Sequence, residues 1–305
     1  YFVTQAIHLL MQINNDYYAL GFQGGTSLSK GYQLVQRLSE DVDFRVVKTT
    51  KGETLGKAAK RRELRAFRHA ITNTLREAGF DLPDESVRVL YEGRYMRLNV
   101  SFDQSKNITY LKPHILIECF LGEASLPFQP QQITSLTKVT LGDSCQDITI
   151  PVDCVALDET AAEKWVALTR RIANSIIKER PGDKHLVRHL YDLYHLNKSS
   201  LLTGDYKKLI SGLLKKDSEQ FKKYNEDYNK HPVQTSKEAL SYLFEDKKWQ
   251  SYWDDFLMQM VYGDNKPSFK EACDSLEEMS QAVFSALELE DEQYEESSRQ
   301  SDKQQ

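Results

Sequence analysis

The chain has 305 residues, enough to bury a sizeable core in one large domain or two smaller ones. Its hydrophobic content of 40% and charged content of 28% are ordinary for a soluble globular protein, and no apolar run is long enough to cross a bilayer, so no membrane partner is expected. The net charge of −5 argues against indiscriminate nucleic-acid binding, which needs clustered Lys and Arg.

The cysteines give no sign of a metal or disulfide framework. They form no CxxC motif and have no paired His, which argues against both kinds of site and makes the cytoplasm the expected compartment. The four are Cys119, Cys145, Cys154 and Cys273.

The first informative segment is a glycine turn followed by two aspartates. An amphipathic helix is predicted over 1–20, then the turn Gly24-Gly25-Thr26, a helix around 28–38 and a strand over 42–47. The glycines let the backbone approach a ligand closely, and the free N–H groups of the helix would point at phosphate oxygens. Asp41 and Asp43 are two residues apart in the strand, so their carboxylates share one face. Adjacent carboxylates repel unless a cation lies between them, and Mg²⁺ is the expected one.

Each of these features alone has an ordinary structural explanation: a turn, a helix, a solvated aspartate pair. Their combination over a short interval, with Arg37 and Ser39 just before the acids, favours nucleotidyl transfer. The sequence GGTSLSK followed by RLSEDVDF resembles the signature of the AbiEii/AbiGii nucleotidyltransferase toxins, members of the DNA polymerase β-like superfamily.

The next predicted helix covers about 55–78 and ends at Gly79, a natural C-cap. Basic residues recur along it at helical spacing and form one stripe, which Leu64 interrupts. A solvated helix face explains the stripe equally well. In the superfamily this segment lies near the active-site cleft, so the resemblance implies RNA binding by Lys57, Arg61, Arg65 and Arg68.

Alternating hydrophobicity then predicts strands over 87–91, 95–100 and 114–120, with two short strands near 133–141 and 148–152. Glu118 lies in an otherwise apolar strand, where an unpaired carboxylate would cost on the order of several kcal/mol to bury. The resemblance implies that Glu118 is the third metal ligand beside Asp41 and Asp43, although the family more often has Asp there. An ion pair between Glu118 and Arg97 is the structural alternative.

After Pro151 the pattern becomes helical. The sequence AEKWVALTRR resembles the family's Ala-Glu-Lys-x-x-Ala-Leu-x-x-Arg helix, whose Lys is implied to bind the triphosphate; here that residue is Lys164, with Arg171 on the same face. KHLVRHLYDLYHL resembles the next family element, with Asp192 at the second acid and His189 in place of the first. Asp192 could accept a proton from the attacking hydroxyl or hold Lys164 in position, and the sequence leaves both roles open.

The predicted fold class is α+β: a mixed sheet with flanking helices of the nucleotidyltransferase type, followed by a helical C-terminal domain. The expected domains are a catalytic domain over 1–155, a helical domain over 156–287 that completes the cleft, and an acidic, disordered tail over 288–305.

The resemblance implies an enzyme, a Mg²⁺-dependent toxin of a toxin–antitoxin or phage-defence pair. It would transfer a nucleotide from a nucleoside triphosphate to RNA, with the tRNA 3′ end as the expected acceptor, and a cognate antitoxin would be its partner. Implied catalytic residues are Asp41, Asp43, Lys164 and Asp192. Implied nucleotide-binding residues are Gly24, Gly25, Thr26, Ser27, Arg37, Ser39, Lys164 and Arg171.

Two alternatives remain. Transfer to a protein hydroxyl would use the same site without an RNA surface. A catalytically silent RNA- or partner-binding protein would keep the fold alone, but the intact Asp41, Asp43 and Lys164 argue against it.

Overall fold

A computed structural model describes residues 2–39, 41–101, 114–134, 149–179 and 182–302, with side chains described up to residue 288. The chain forms two compact units. Unit 1 comprises Tyr1–Gln33 and Leu38–Ala156, and unit 2 comprises Leu34–Arg37 and Leu157–Gln305.

Unit 1 is built on a seven-stranded sheet with the strand order β3-β4-β5-β2-β1-β7-β6. The pairs β2/β5 and β1/β7 are parallel and the other neighbours are antiparallel, so the predicted mixed sheet of an α+β fold is confirmed. The strands are β1 (Tyr18–Gln23), β2 (Asp41–Lys48), β3 (Val87–Leu90), β4 (Tyr95–Ser101), β5 (His114–Leu121), β6 (Gln129–Ile133) and β7 (Ile150–Cys154).

The two faces of this sheet differ in chemistry. Val42, Phe44 and Val46 alternate along β2 and are buried in the hydrophobic core. Helices α1 (Phe2–Met11) and α4 (Lys57–Glu77) contribute to that core and cover this face. Because side chains alternate along a strand, Asp41 and Asp43 project from the opposite face.

Between β1 and β2 the chain is less helical than the sequence predicts. A short helix, α2 (Gly24–Thr26), continues as a π-helical turn over Ser27–Gly31 and stops there, before the predicted end at residue 38. The chain then leaves for unit 2, where Arg37 forms a β-bridge with Val261. This pairing uses backbone groups that a longer helix would have needed. Helix α3 (Thr50–Thr54) follows β2.

Other predicted boundaries also shift. The first helix ends at Met11, because Tyr18, Leu20 and Phe22 alternate into the core as strand β1. Strand β6 ends at Ile133, where the sequence predicts a strand to begin, and 135–148 lies outside the described residues.

Unit 2 is helical in its described part. Its helices are α5 (Leu157–Ile177), α6 (Val187–Lys198), α7 (Tyr206–Phe221), α8 (Glu226–Lys230), α9 (Pro232–Glu245), α10 (Lys247–Met260) and α11 (Phe269–Asp302). The fully buried Trp165 of α5 donates its indole N–H to Ser280 of α11 at 2.9 Å, which joins the first and last helices.

Helix α11 continues to Asp302, within the range that was expected to form an acidic tail. Glu and Gln are strong helix formers, and their propensity favours this continuation. None of the helices within the described ranges combines the length and hydropathy that a membrane crossing requires.

The hydrogen bonds of Asp158, at the start of α5, allow a test of what stabilises unit 2. Its buried carboxylate accepts the backbone N–H groups of Thr203, Gly204 and Tyr206 at 3.1, 3.0 and 3.2 Å. Asp158→Ala would leave these donors unpaired, and we expect the free energy of unfolding to fall by about 1–3 kcal/mol in urea titrations. The exposed Asp274→Ala control should change it by less than about 0.5 kcal/mol.

Candidate active site

One row of side chains crosses the polar face of the sheet in unit 1. Strand register places Asp43 beside Gln23 on one side and beside Glu118 on the other. Neighbouring strands lie about 4.8 Å apart, so the Asp43 and Glu118 side chains are adjacent. The full row, here called the charged row, runs Gln23, Asp43, Glu118, Arg97 and Arg88.

Asp41 lies on the same face, two residues before Asp43. Within the described residues its Oδ1 atom is buried without a hydrogen-bond partner. An unsatisfied buried carboxylate oxygen costs about 1–3 kcal/mol, so this position favours a cation or another ligand that the protein itself does not provide. The observation fits Mg²⁺, which prefers carboxylate oxygens.

Gly24 is required by the geometry around Asp43. Its φ is +81°, a left-handed conformation that favours glycine, and a Cβ at this position would overlap Asp43 Oδ2. Ser27 Oγ donates to the Gly24 carbonyl at 2.9 Å and holds the turn closed. The turn therefore places backbone that carries no side chain against the Asp43 carboxylate.

Thr26 and Ser39 fasten this turn to β2. The buried Thr26 hydroxyl donates to the backbone carbonyl of Asp41, and because a hydroxyl has one proton, the Ser39 hydroxyl at 2.7 Å is the donor in the second bond. Both hydroxyls, like that of Ser27, have intramolecular partners. A phosphate at this segment would therefore be contacted mainly by backbone N–H groups such as that of Gly25.

Glu118 does not form the ion pair with Arg97 that was the structural alternative to metal binding. Its Oε1 accepts a hydrogen bond from the Tyr95 hydroxyl, and no ion pair joins Glu118 to Arg97, both of which the structure describes. Burial and this hydrogen bond raise the pKa of Tyr95, so Tyr95 keeps its proton. In the described parts of the chain no group of three or more His, Cys, Asp or Glu forms a closed metal site, so the third-ligand role of Glu118 stays a proposal.

Tyr95 is a residue that the sequence analysis missed. It stands two positions before Arg97 in the same strand, so the period-two rule would have placed it on the face of Arg97. Its partnership with Glu118 depends on strand order, which the sequence does not give.

Unit 2 contains a separate buried charge cluster. Asp192 is 0% exposed, and Arg37 binds both its oxygens, through Nε to Oδ1 at 2.7 Å and a terminal nitrogen to Oδ2 at 2.8 Å. Lys164 Nζ lies 2.8 Å from Oδ2. Two cationic side chains therefore share one carboxylate.

The cluster favours one of the two roles left open for Asp192. Burial by itself would raise the pKa of Asp192, but Arg37 and Lys164 hold it well below its usual range. A carboxylate with so low a pKa is a poor proton acceptor at neutral pH, so Asp192 is better suited to positioning Lys164 and Arg37. Burial and the nearby Lys164 lower the pKa of His189 well below its usual value, so His189 is neutral.

Arg171 lies on α5 with Lys164 but in a different environment. It is exposed and forms an ion pair with Asp183. Its predicted role in triphosphate binding would require this surface pair to open.

The basic stripe on α4 lies away from the carboxylates. Helix α4 covers the apolar face of the sheet, whereas Asp41 and Asp43 project from the other face. Two of its four residues already have partners in the β3–β4 turn: Arg61 pairs with Glu92 at 3.0 Å, and Arg68 donates to the Gly93 carbonyl at 2.9 Å. Lys57 and Arg65 are exposed.

A family model matches most of the chain. The model described as nucleotidyl transferase AbiEii toxin, type IV toxin–antitoxin system, matches residues 12–275. Among solved structures, the chain is similar to MenT4, a nucleotidyltransferase toxin from Mycobacterium tuberculosis H37Rv, with 21% identity and a TM-score of 0.43. The similarity covers 70% of this chain and 65% of MenT4, so this chain spans less than two thirds of that neighbour's length. No curated protein matches the sequence.

The charge cluster predicts a large effect of Asp192→Asn. Asparagine carries no charge, so Arg37 and Lys164 would lose the buried Asp192 carboxylate, and the free energy of unfolding should fall by about 3–5 kcal/mol in urea titrations near neutral pH. Asp183→Asn, which removes the exposed partner of Arg171, should cost at most about 1 kcal/mol.

The stability difference between wild type and Asp192→Asn should depend on pH. Because folding depresses the pKa of Asp192, its stabilisation is complete above the unfolded value of about 3.9 and is lost as the pH falls through the lower folded value. The stability difference between wild type and Asp192→Asn should therefore shrink below about pH 4. A difference that grew on acidification would contradict the assignment.

Proposed function

The chain belongs to the AbiEii family of nucleotidyltransferase toxins of type IV toxin–antitoxin systems, and we propose that it transfers a nucleotide from a nucleoside triphosphate to an RNA in a Mg²⁺-dependent reaction. The proposed acceptor is the 3′ end of a tRNA. The proposed partner is a cognate antitoxin, the proposed setting phage defence, and the proposed compartment the cytoplasm.

One observation carries this proposal. Gly24, which has no Cβ, lies against Asp43, and Asp41 Oδ1 two residues away is buried without a partner in the described residues. Bare backbone N–H groups beside two adjacent carboxylates suit a phosphate that arrives together with a cation.

The residues of unit 1 have complementary roles in the proposed reaction. Asp41 and Asp43 would hold Mg²⁺, with Glu118 as a third candidate ligand. When bound, the ion supplies positive charge that stabilises the attacked α-phosphate and the pyrophosphate leaving group. The turn at Gly24 and Gly25 would orient the triphosphate through its backbone, while Thr26 and Ser39 keep that turn fixed on β2.

In unit 2, Lys164 is the proposed phosphate ligand. An ammonium group has three donors, and the contact with Asp192 uses one of them. Arg37 and Asp192 would act as positioning residues that hold the ammonium in one orientation. This arrangement places the opposite charge of the Asp192 carboxylate beside the buried Lys164 ammonium.

RNA binding by the basic stripe of α4 is also a proposal, and only part of the stripe is available for it. Arg61 and Arg68 hold the β3–β4 turn, which leaves Lys57 and Arg65 as the stripe residues without such a contact.

The carboxylates give the direct test. Asp41→Asn and Asp43→Asn should each reduce nucleotide transfer by roughly a hundredfold or more, about 2.7 kcal/mol of transition-state stabilisation, because each removes a negative charge from the proposed cation site. Glu118→Gln should be nearly as severe. Transfer is measured with the full chain, Mg²⁺, each labelled nucleoside triphosphate, and total RNA or total protein as acceptor.

Two controls accompany this test. The exposed Asp153→Asn variant on β7 should retain wild-type transfer. Mn²⁺ binding, followed by electron paramagnetic resonance, should weaken in Asp41→Asn and Asp43→Asn even without nucleotide. Wild-type transfer by the double variant would exclude this site, and labelled protein without labelled RNA would favour the protein-modifying alternative.

Lys164 is tested separately, through nucleotide affinity. Lys164→Met keeps the bidentate contact between Arg37 and Asp192 but removes the proposed phosphate contact. We expect weaker triphosphate binding or slower transfer by roughly tenfold or more, about 1.4 kcal/mol, in calorimetric titrations and single-turnover assays. Arg171→Ala should be milder. Unchanged affinity and rate for Lys164→Met would remove Lys164 from the site.

A further inference from the structure

An exposed apolar surface borders the charged row on the polar face of unit 1. Phe120 of β5 is 45% exposed, Leu90 of β3 is 48% exposed, and Tyr91 at the start of the following turn is 74% exposed. Large side chains with this exposure are unusual when they lie together, and such patches mark interaction sites.

Strand register places this surface directly beside the candidate cation ligands. Phe120 pairs with Tyr95, which in turn pairs with Leu90, so the three form a row across β5, β4 and β3. The row lies two residues along each strand from the charged row, on the same face. Phe120 therefore neighbours Glu118, and Leu90 neighbours Arg88.

Tyr91 is held in an unfavourable backbone conformation. Tyr91, Glu92 and Gly93 have φ values of +52°, +57° and +87°, and only the last is a glycine. Non-glycine residues adopt this region at a cost in free energy, which persists only where the surroundings impose it. Arg61 and Arg68 of α4 contact this turn, through the Glu92 carboxylate and the Gly93 carbonyl.

The turn presents an aromatic ring to solvent. Tyr91 packs edge to face on Tyr95, with ring centroids 6.4 Å apart, and otherwise projects outward. A strained, anchored turn with an exposed tyrosine at its tip fits a binding role better than a role in packing.

Charge identifies the class of ligand. Among the described residues, Arg88 and Arg97 form no ion pair, and Arg97 Nε is buried without a hydrogen-bond partner. Two arginines beside exposed aromatic rings are complementary to nucleic acid, in which phosphates alternate with flat bases. An apolar protein partner would leave both guanidinium groups uncompensated.

We propose that Phe120, Leu90 and Tyr91, with Arg88 and Arg97, form the surface that receives the single-stranded 3′ end of the acceptor RNA. Unpaired bases stack on Phe120 and Tyr91, and the arginines contact the phosphates between them. Because Glu118 lies between this surface and Asp43, one end of a strand bound here would lie beside the carboxylates. This assignment rests on the proposed transfer to RNA.

The test measures RNA binding without catalysis. A 5′-fluorescein-labelled single-stranded oligoribonucleotide of about ten nucleotides is titrated with the full chain in EDTA, without nucleotide, and followed by fluorescence anisotropy. The aromatic variant is Phe120→Ala combined with Tyr91→Asn, since asparagine tolerates positive φ. We expect its affinity to fall by tenfold or more.

Arg88→Ala should lower affinity several-fold for all sequences and reduce the salt-dependence slope by about one. Matched controls are Tyr224→Ala, a tyrosine of unit 2 that is 63% exposed, and Arg62→Ala, an exposed arginine of α4. Both controls should bind like wild type. Circular dichroism and thermal unfolding confirm that each variant is folded.

The outcomes separate this inference from the proposed function. Wild-type affinity in the aromatic variant, or no binding of the oligoribonucleotide by the wild-type chain, would overturn the surface, while transfer to RNA by the wild type would still support the proposed function. Loss of binding in the aromatic variant together with transfer only to protein would support the surface as an RNA site and overturn the proposed acceptor.

Discussion

The alternation of side chains along β2 determines which face of the sheet carries Asp41 and Asp43. Val42, Phe44 and Val46 enter the core under α4, so Asp41 and Asp43 have only the other face available. Strand pairing sets the neighbours of Asp43, with Gln23 on one side and Glu118 on the other. The glycine turn completes the arrangement, because only a residue without Cβ can approach Asp43 so closely.

The two units differ in whether a buried carboxylate oxygen has a partner within the protein. In unit 2 both oxygens of Asp192 are occupied by Arg37 and Lys164, so the carboxylate is fully compensated and its pKa is depressed. In unit 1 the Asp41 oxygen has no partner within the described chain. Burial without compensation costs free energy, so it indicates a site for an incoming ligand, whereas full compensation indicates a structural or positioning role.

The basic residues of α4 connect these observations to the β3–β4 turn. Helical periodicity makes them resemble an RNA-binding stripe, yet α4 packs on the face opposite the carboxylates. Arg61 and Arg68 instead hold Glu92 and Gly93, and so fix the turn that exposes Tyr91. A helix on one side of the sheet can thus support a surface on the side of Asp41 and Asp43, since both meet at the edge formed by β3.

Local periodicity was enough to predict strands β2 to β5, the shared face of Asp41 and Asp43, and the need of Glu118 for a partner, because each depends on neighbours in the chain. It could not identify that partner as Tyr95, since register joins strands that are distant in sequence. Arg37, four residues before Asp41, belongs instead with Asp192, 155 positions away. Ion pairing and burial are properties of the folded chain, so only the tertiary structure decided which charges are compensated.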